Sequence, residues 1–277
     1  MTANTLPLPP AAAGGWLPQF AAALRTLWRT DRRLVAFALL MLAALLPAAL
    51  GLALDDRVLR GVNVWVKPMK FMLSVALLAL TTAWFARHLP AAVRQGRAYA
   101  ALGWTLIATG GFEVGYITLQ AALGQASHYN VGSVFHGVMY TLMGAGAIAL
   151  TATQPWLAWL LWRHGEPLPR AYRQAVLLGL VLTFVLGAGA GILLGDRQPP
   201  TGPGLPLLGW SMVGGDLRVA HFVGIHAEQA LPLLAAGLLA WRPRIAVAGV
   251  WAGTAALSAL WAAVLVQALQ GRPLLAL

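Results

Sequence analysis

The chain has 277 residues, of which 59% are hydrophobic and only 10% charged, whereas a soluble domain carries about 25% charged residues. An ordinary soluble domain is excluded. Nineteen Lys and Arg against eight Asp and Glu give a net charge of +11, an excess that fits nucleic acid, a membrane surface or topology signals until the charges are placed. There is no cysteine, which excludes disulfides, thiolate nucleophiles and covalent c-type haem, so a metal or haem iron would need His, carboxylate or Met ligands.

In chain order, residues 1–32 form a Pro- and Ala-rich segment whose longest apolar stretch is broken by Pro18 and followed by Arg25 and Arg29. That pattern argues against a cleaved leader and for a short interfacial helix between Trp16 and Trp28. Stretches of roughly 20 apolar residues, the length that crosses a bilayer, then follow at about 34–54, 69–87, 98–123, 133–160, 172–195, 217–241 and 245–270. With no repeat and no long hydrophilic segment, the expected fold is an all-α bundle of seven transmembrane helices over 33–272. Trp65, Trp84, Trp156, Trp162, Trp210 and Trp241 lie near span ends, as interface anchors do.

The charges sort by side. Arg25, Arg29, Arg32, Arg33, Arg87, Arg94, Arg97, Arg163, Arg170, Arg173, Arg242 and Arg244, twelve in all, fall on one side; Arg57, Arg60, Lys67, Lys70, Arg197, Arg218 and Arg272, seven, fall on the other. The positive-inside bias puts the N-terminus in the cytoplasm and the C-terminus in the periplasm. The basic excess then reads as a topology device, and nucleic acid is no longer a partner. The outer connections, 124–136 and 196–216, are the longer ones and hold Gly, Pro, Asn and His, where function is expected to concentrate.

Ionisable residues inside spans usually face the bundle interior and mark function. At about 100° per residue, a continuous sixth span gathers Arg218, His221, His226, Glu228 and Gln229 within roughly 160°. Thr109, Glu113, Tyr116 and Gln120 share a face of the third, His136, Tyr140 and Met143 of the fourth, and Lys67, Lys70, Ser74 and Thr81 of the second. At 1.5 Å per residue, Glu113 and His226 lie on the order of 14 Å below the outer surface. The pattern predicts a polar cavity open to the outside and lined by spans two, three, four and six. The fifth span instead carries Gly187 and Gly191, a spacing that suits close helix packing.

Chemistry follows from residue type. His128, His136, His221 and His226 are candidate ligands for a transition metal ion or a b-type haem. His221 and His226 alone are a poor chelate, because five residues of helix turn them about 140° apart. Glu113 reads either as half of a buried ion pair or as a proton acceptor or further ligand. Lys67, Lys70 and Arg218, with Tyr140 and Gln229, read as holders of an anionic group, or as headgroup anchors. Ser127 or Ser133 beside a histidine could supply a nucleophile, and Asp216 after Gly214 and Gly215 reads as a helix cap.

The stretches WVKPMKF, EVGYITLQ, SHYN at 127–130 and GGDLRVAHFVGIHAEQ at 214–229 resemble an uncharacterised family of bacterial multi-pass inner-membrane proteins, over about residues 60–235. The resemblance implies a membrane bundle and a bacterial inner (plasma) membrane setting, and no activity. The seventh span lacks the lysine of microbial rhodopsins and the His-xxx-His of the zinc-dependent ceramidase and progestin-receptor superfamily. The expected function is membrane redox or metal-dependent chemistry on a lipid-soluble substrate. Its rivals are a proton-coupled transporter using Glu113 and His226, or a lipid-binding or assembly subunit. Expected partners are membrane lipids and a lipid-soluble or anionic small molecule.

Overall fold

The computed structural model describes residues 16–205 and 208–275. It is 76% helical, as an all-α chain must be. Helix α1 (Trp16–Thr30) and α2 (Arg32–Leu54) are separated by Asp31, whose carboxylate accepts from Arg33 N at 2.9 Å and Leu34 N at 3.1 Å and so caps α2. Strands β1 (Val58–Leu59) and β2 (Val62–Asn63) form a small antiparallel ribbon absent from the predicted spans. Its turn residues Arg60 and Gly61 both have positive φ, 55° and 78°, the geometry of the tightest hairpins. Then come α3 (Val66–Ala86), the short α4 (Ala91–Arg94), α5 (Arg97–Ala122) and α6 (Val134–His164). The fifth predicted span is α7 (Arg170–Leu182), a π-helical turn at Thr183–Ala188 and α8 (Gly189–Gly195). The chain closes with α9 (Leu217–Ile225), α10 (Ala227–Trp241), a 3₁₀ turn at Pro243–Ile245 and α11 (Ala246–Leu269).

Five of these elements are long and apolar enough to cross a membrane, at Arg32–Leu54, Val66–Ala86, Val134–His164, Arg170–Gly195 and Pro243–Leu269; α9 with α10 makes a sixth. The predicted third span, α5, has the length but not the apolarity, because glycines, threonines, tyrosines and glutamine punctuate it. Large apolar side chains stand exposed on outward faces, among them Leu40, Leu46 and Leu50 of α2 and Trp251 and Leu260 of α11. In water such a surface would be a liability; in lipid it is the expected exterior.

Two apolar cores hold the bundle. One joins Leu34, Phe37, Met41, Met72, Val75 and Leu106 of α2, α3 and α5. The other joins Phe85, Leu102, Leu157, Leu161, Leu180, Leu231 and Val250 across α3, α5, α6, α7, α10 and α11. Helix α5 packs on α2, α3 and α6, whereas α9 and α10 pack on α7, α11 and the π-helical turn, with α8 also against α9.

The largest departure from the sequence reading is in the sixth span. Helix α9 stops at Ile225, His226 leaves the helix with φ −98° and ψ 7°, and α10 restarts at a 49° bend. The single 160° stripe that a continuous helix would carry is therefore broken at His226. Glycine makes the break possible: a Cβ on Gly224 would meet Gly187 N at 2.6 Å, and one on Gly187 would meet Ile225 Cγ2 at 2.7 Å. The break and the π-helical turn are thus seated backbone against backbone.

Candidate functional site

The sequence-predicted residues fall into three groups rather than one cavity. The first lies at the start of α3, under the loop 123–133. Lys67 Nζ donates to Ser127 Oγ at 2.9 Å, and Ser127 Oγ lies 3.2 Å from His128 Nδ1. Ser127 is buried, Lys67 and His128 half-buried. The His128 ring stands between Phe71 and Tyr140, with centroids 6.2 and 5.9 Å away. Burial, reinforced by the Lys67 ammonium, pushes the His128 pKa down to about 3, so the ring is neutral at ordinary pH. Lys67 also feels the charges of Glu113 and Arg218. Glu113 is 2% exposed, and its Oε1 has no hydrogen-bond partner among the described residues. It fits against α6 because Gly146 has no side chain there: a Cβ would sit 3.0 Å from that oxygen.

The second group holds the long outer loop down. Asp216 caps α9 by accepting from Arg218 N at 3.0 Å, as the sequence suggested, and also accepts from Ser211 N at 2.8 Å and from the Arg218 guanidinium at 2.5 to 3.0 Å. Burial opposes ionisation of Asp216, but these donors outweigh it and hold its pKa below the ordinary carboxylate value. Arg218 also donates to Gly209 O at 2.7 Å, and Lys70 to Leu208 O at 2.7 Å. Tyr140 donates to Gly195 O at 2.6 Å and Tyr129 to Leu194 O, together closing the C-terminal end of α8. Lys70, Arg218 and Tyr140, expected to hold an anionic group, therefore spend these donors on the protein itself. Tyr129 has φ 57°, a conformation that costs a non-glycine residue on the order of 1 kcal/mol.

The third group is at the helix break. Gln229 Nε2 donates to Glu228 Oε1 at 2.9 Å and to Thr81 Oγ1 of α3 at 3.1 Å, and Gln229 Oε1 lies 3.2 Å from His226 Nδ1. Thr183 of the π-helical turn accepts from Glu228 N at 3.1 Å, satisfying an amide that the restarted helix cannot. Glu228 is 1% exposed, and its Oε2 has no partner among the described residues. Next to Thr81, Thr82 is buried beneath Gln154 of α6, whose Nε2 lies 3.5 Å from the Thr82 hydroxyl and 2.8 Å from that of Thr153. Thr82, Thr153, Gln154 and Thr183 were not singled out in the sequence. A signal existed for one: the His136, Tyr140, Met143 stripe continues by threes and fours through Leu150 to the fully buried Gln154.

The four candidate ligands do not converge. His136 is held by Ser133 at 2.8 Å and Gln125 at 3.1 Å, His221 by Gly187 O at 2.8 Å, and His128 and His226 belong to the first and third groups. Among the described residues the donor set as it stands groups no three His, Asp or Glu ligands for a metal ion. Among the described residues Glu113 and His226 share no hydrogen bond, and the main packing partners of α5 do not include α9 or α10. No family model matches the chain, and neither does a curated protein or a solved structure.

Proposed function

We propose that the chain is a seven-span protein of the bacterial inner membrane, N-terminus in the cytoplasm and C-terminus in the periplasm, that carries a small anionic or lipid-soluble molecule together with a proton. In this reading α5 is the seventh span, its polar residues tolerated because the bundle buries them. The observation that carries the proposal is the helix broken at His226, with buried Glu228 on the first turn of the restarted half and one of its oxygens unpartnered. Discontinuous helices are how many transporters place ion and substrate groups near the bilayer midplane, and a carboxyl inside a membrane is most simply a proton site. Here Gln229 and His226 serve as its neighbours, and Glu228 takes the role that the sequence had given to Glu113.

The test is an entrapped pH dye in proteoliposomes, read as a panel of small carboxylates is added. Coupled proton entry should occur with the wild type and with Glu166→Gln, an exposed control, and disappear with Glu228→Gln. Equal proton entry with and without Glu228 would remove the proposal. The separate contacts of the four histidines lend a metal or haem centre no support.

A further inference from the structure

We propose that Ser127 is a nucleophile with Lys67 as its base, forming an acyl-transfer site at the outer end of α3 that cleaves carboxylic esters of apolar acyl chains. This goes beyond the carrier reading and uses none of the residues at the helix break.

Three features point there. The first is the contact itself: Lys67 Nζ lies 2.9 Å from Ser127 Oγ, the geometry required of a nucleophile and its base. Lysine replaces histidine as the base in serine–lysine sites, because a lysine withdrawn from water gives up its proton readily. The second is what Lys67 lacks: among the described residues no carboxylate stands within ion-pair distance of it, and it feels Glu113 only from farther away. The third is the loop. Asn130 Nδ2 donates to Ala126 O at 3.1 Å across the serine, and Tyr129 takes its left-handed backbone two residues after it. A strained residue beside a candidate nucleophile is where such conformations cluster.

His128 is a positioning residue, its Nδ1 3.2 Å from Ser127 Oγ, neutral and braced by Phe71 and Tyr140. The substrate class follows from the surroundings. Val131, Val134, Phe135 and Val138 are all exposed next to the loop, an apolar approach that suits an acyl chain arriving from the lipid.

The resting Lys67 ammonium first sheds a proton to water, and the free amine then takes the Ser127 hydroxyl proton as Oγ bonds to the ester carbonyl carbon. The carbon–alkoxy bond then breaks, and Lys67 returns the proton to the departing alcohol. Water, deprotonated by the same amine, attacks the acyl-serine and releases the acid, restoring the hydroxyl.

The experiment uses the full chain in detergent, one sample treated with an alkyl fluorophosphonate and a separate, unlabelled sample with a p-nitrophenyl alkanoate. Peptide mass spectrometry should find one phosphonate adduct, on Ser127, and ester hydrolysis should run above the level of Ser127→Ala. Ser133→Ala should label as the wild type does. Lys67→Arg keeps the charge and the hydrogen bond but cannot serve as a base, so labelling should fall at least tenfold at an unchanged melting temperature. Absence of an adduct on the folded wild-type chain overturns the proposal, as does undiminished labelling of Lys67→Arg. Neither outcome depends on proton transport, so the two proposals fail separately.

Discussion

Gln229 reaches across from α10 to donate to Thr81 of α3 at 3.1 Å, and the same amide nitrogen donates to Glu228 at 2.9 Å. One side chain therefore ties two helices together and gives a buried carboxyl its one side-chain donor. Gln229→Leu removes both bonds and leaves Glu228 without that donor, a loss of about 1–3 kcal/mol. Thr81→Val should cost less, about 1 kcal/mol, since Gln229 keeps its bond to Glu228. The double variant should cost less than the sum of the two, because they share a bond; thermal melts in one detergent check all three.

The seat of the helix break is glycine on both sides. Gly224→Ala puts a methyl 2.6 Å from Gly187 N, which backbone cannot yield to without movement. The expected cost is about 2–3 kcal/mol of overpacking. Gly237→Ala, on the same bent pair but with open space around it, should be neutral or slightly stabilising. Similar melting temperatures for the two variants would show that the close approach is not maintained.

Acid should weaken the fold before carboxylates protonate. His88 lies just past α3, buried, with its backbone O accepting from Glu166 N at 2.8 Å and Arg87 beside its ring. Burial, then the Arg87 charge, lowers its pKa to about 4, and His128 is lowered to about 3. Both values fall below the ordinary histidine value near 6.5, so on acidification the unfolded chain binds these protons first. Stability is then full above pH ~6.5 and is lost as pH falls toward 4 and 3. Melting temperature against pH should drop across that window, and His88→Gln should flatten its upper part.

Asp216 is the fastening of the outer loop. Asp216→Asn removes the charge that pairs with Arg218 and weakens the acceptor for Ser211 N. The loop over 202–216 should then open, read as faster proteolysis between residues 196 and 216 with α3 and α6 still protected. Lys70→Met, which removes only the bond to Leu208 O, should give a smaller change.

The amino-acid order alone sets the solvent and the elements. Scarce charge, apolar runs of bilayer length and the arginine count follow from chain-local physics, and most helix ends fall within a few residues of the expected ones. Local sequence also marked Lys67, Ser127, His128, His226, Glu228 and Gln229 as polar groups in an apolar chain. Tertiary structure decided which of them meet. A helix read as continuous placed His221, His226 and Glu228 on one stripe, but the contact of Gly224 with Gly187 breaks it, and that contact joins residues 37 apart in sequence. The pairing of Lys67 with Ser127 spans 60 residues and that of Gln229 with Thr81 spans 148. No helical period encodes such distances, because they depend on which helices are neighbours and on how closely small residues let their backbones approach.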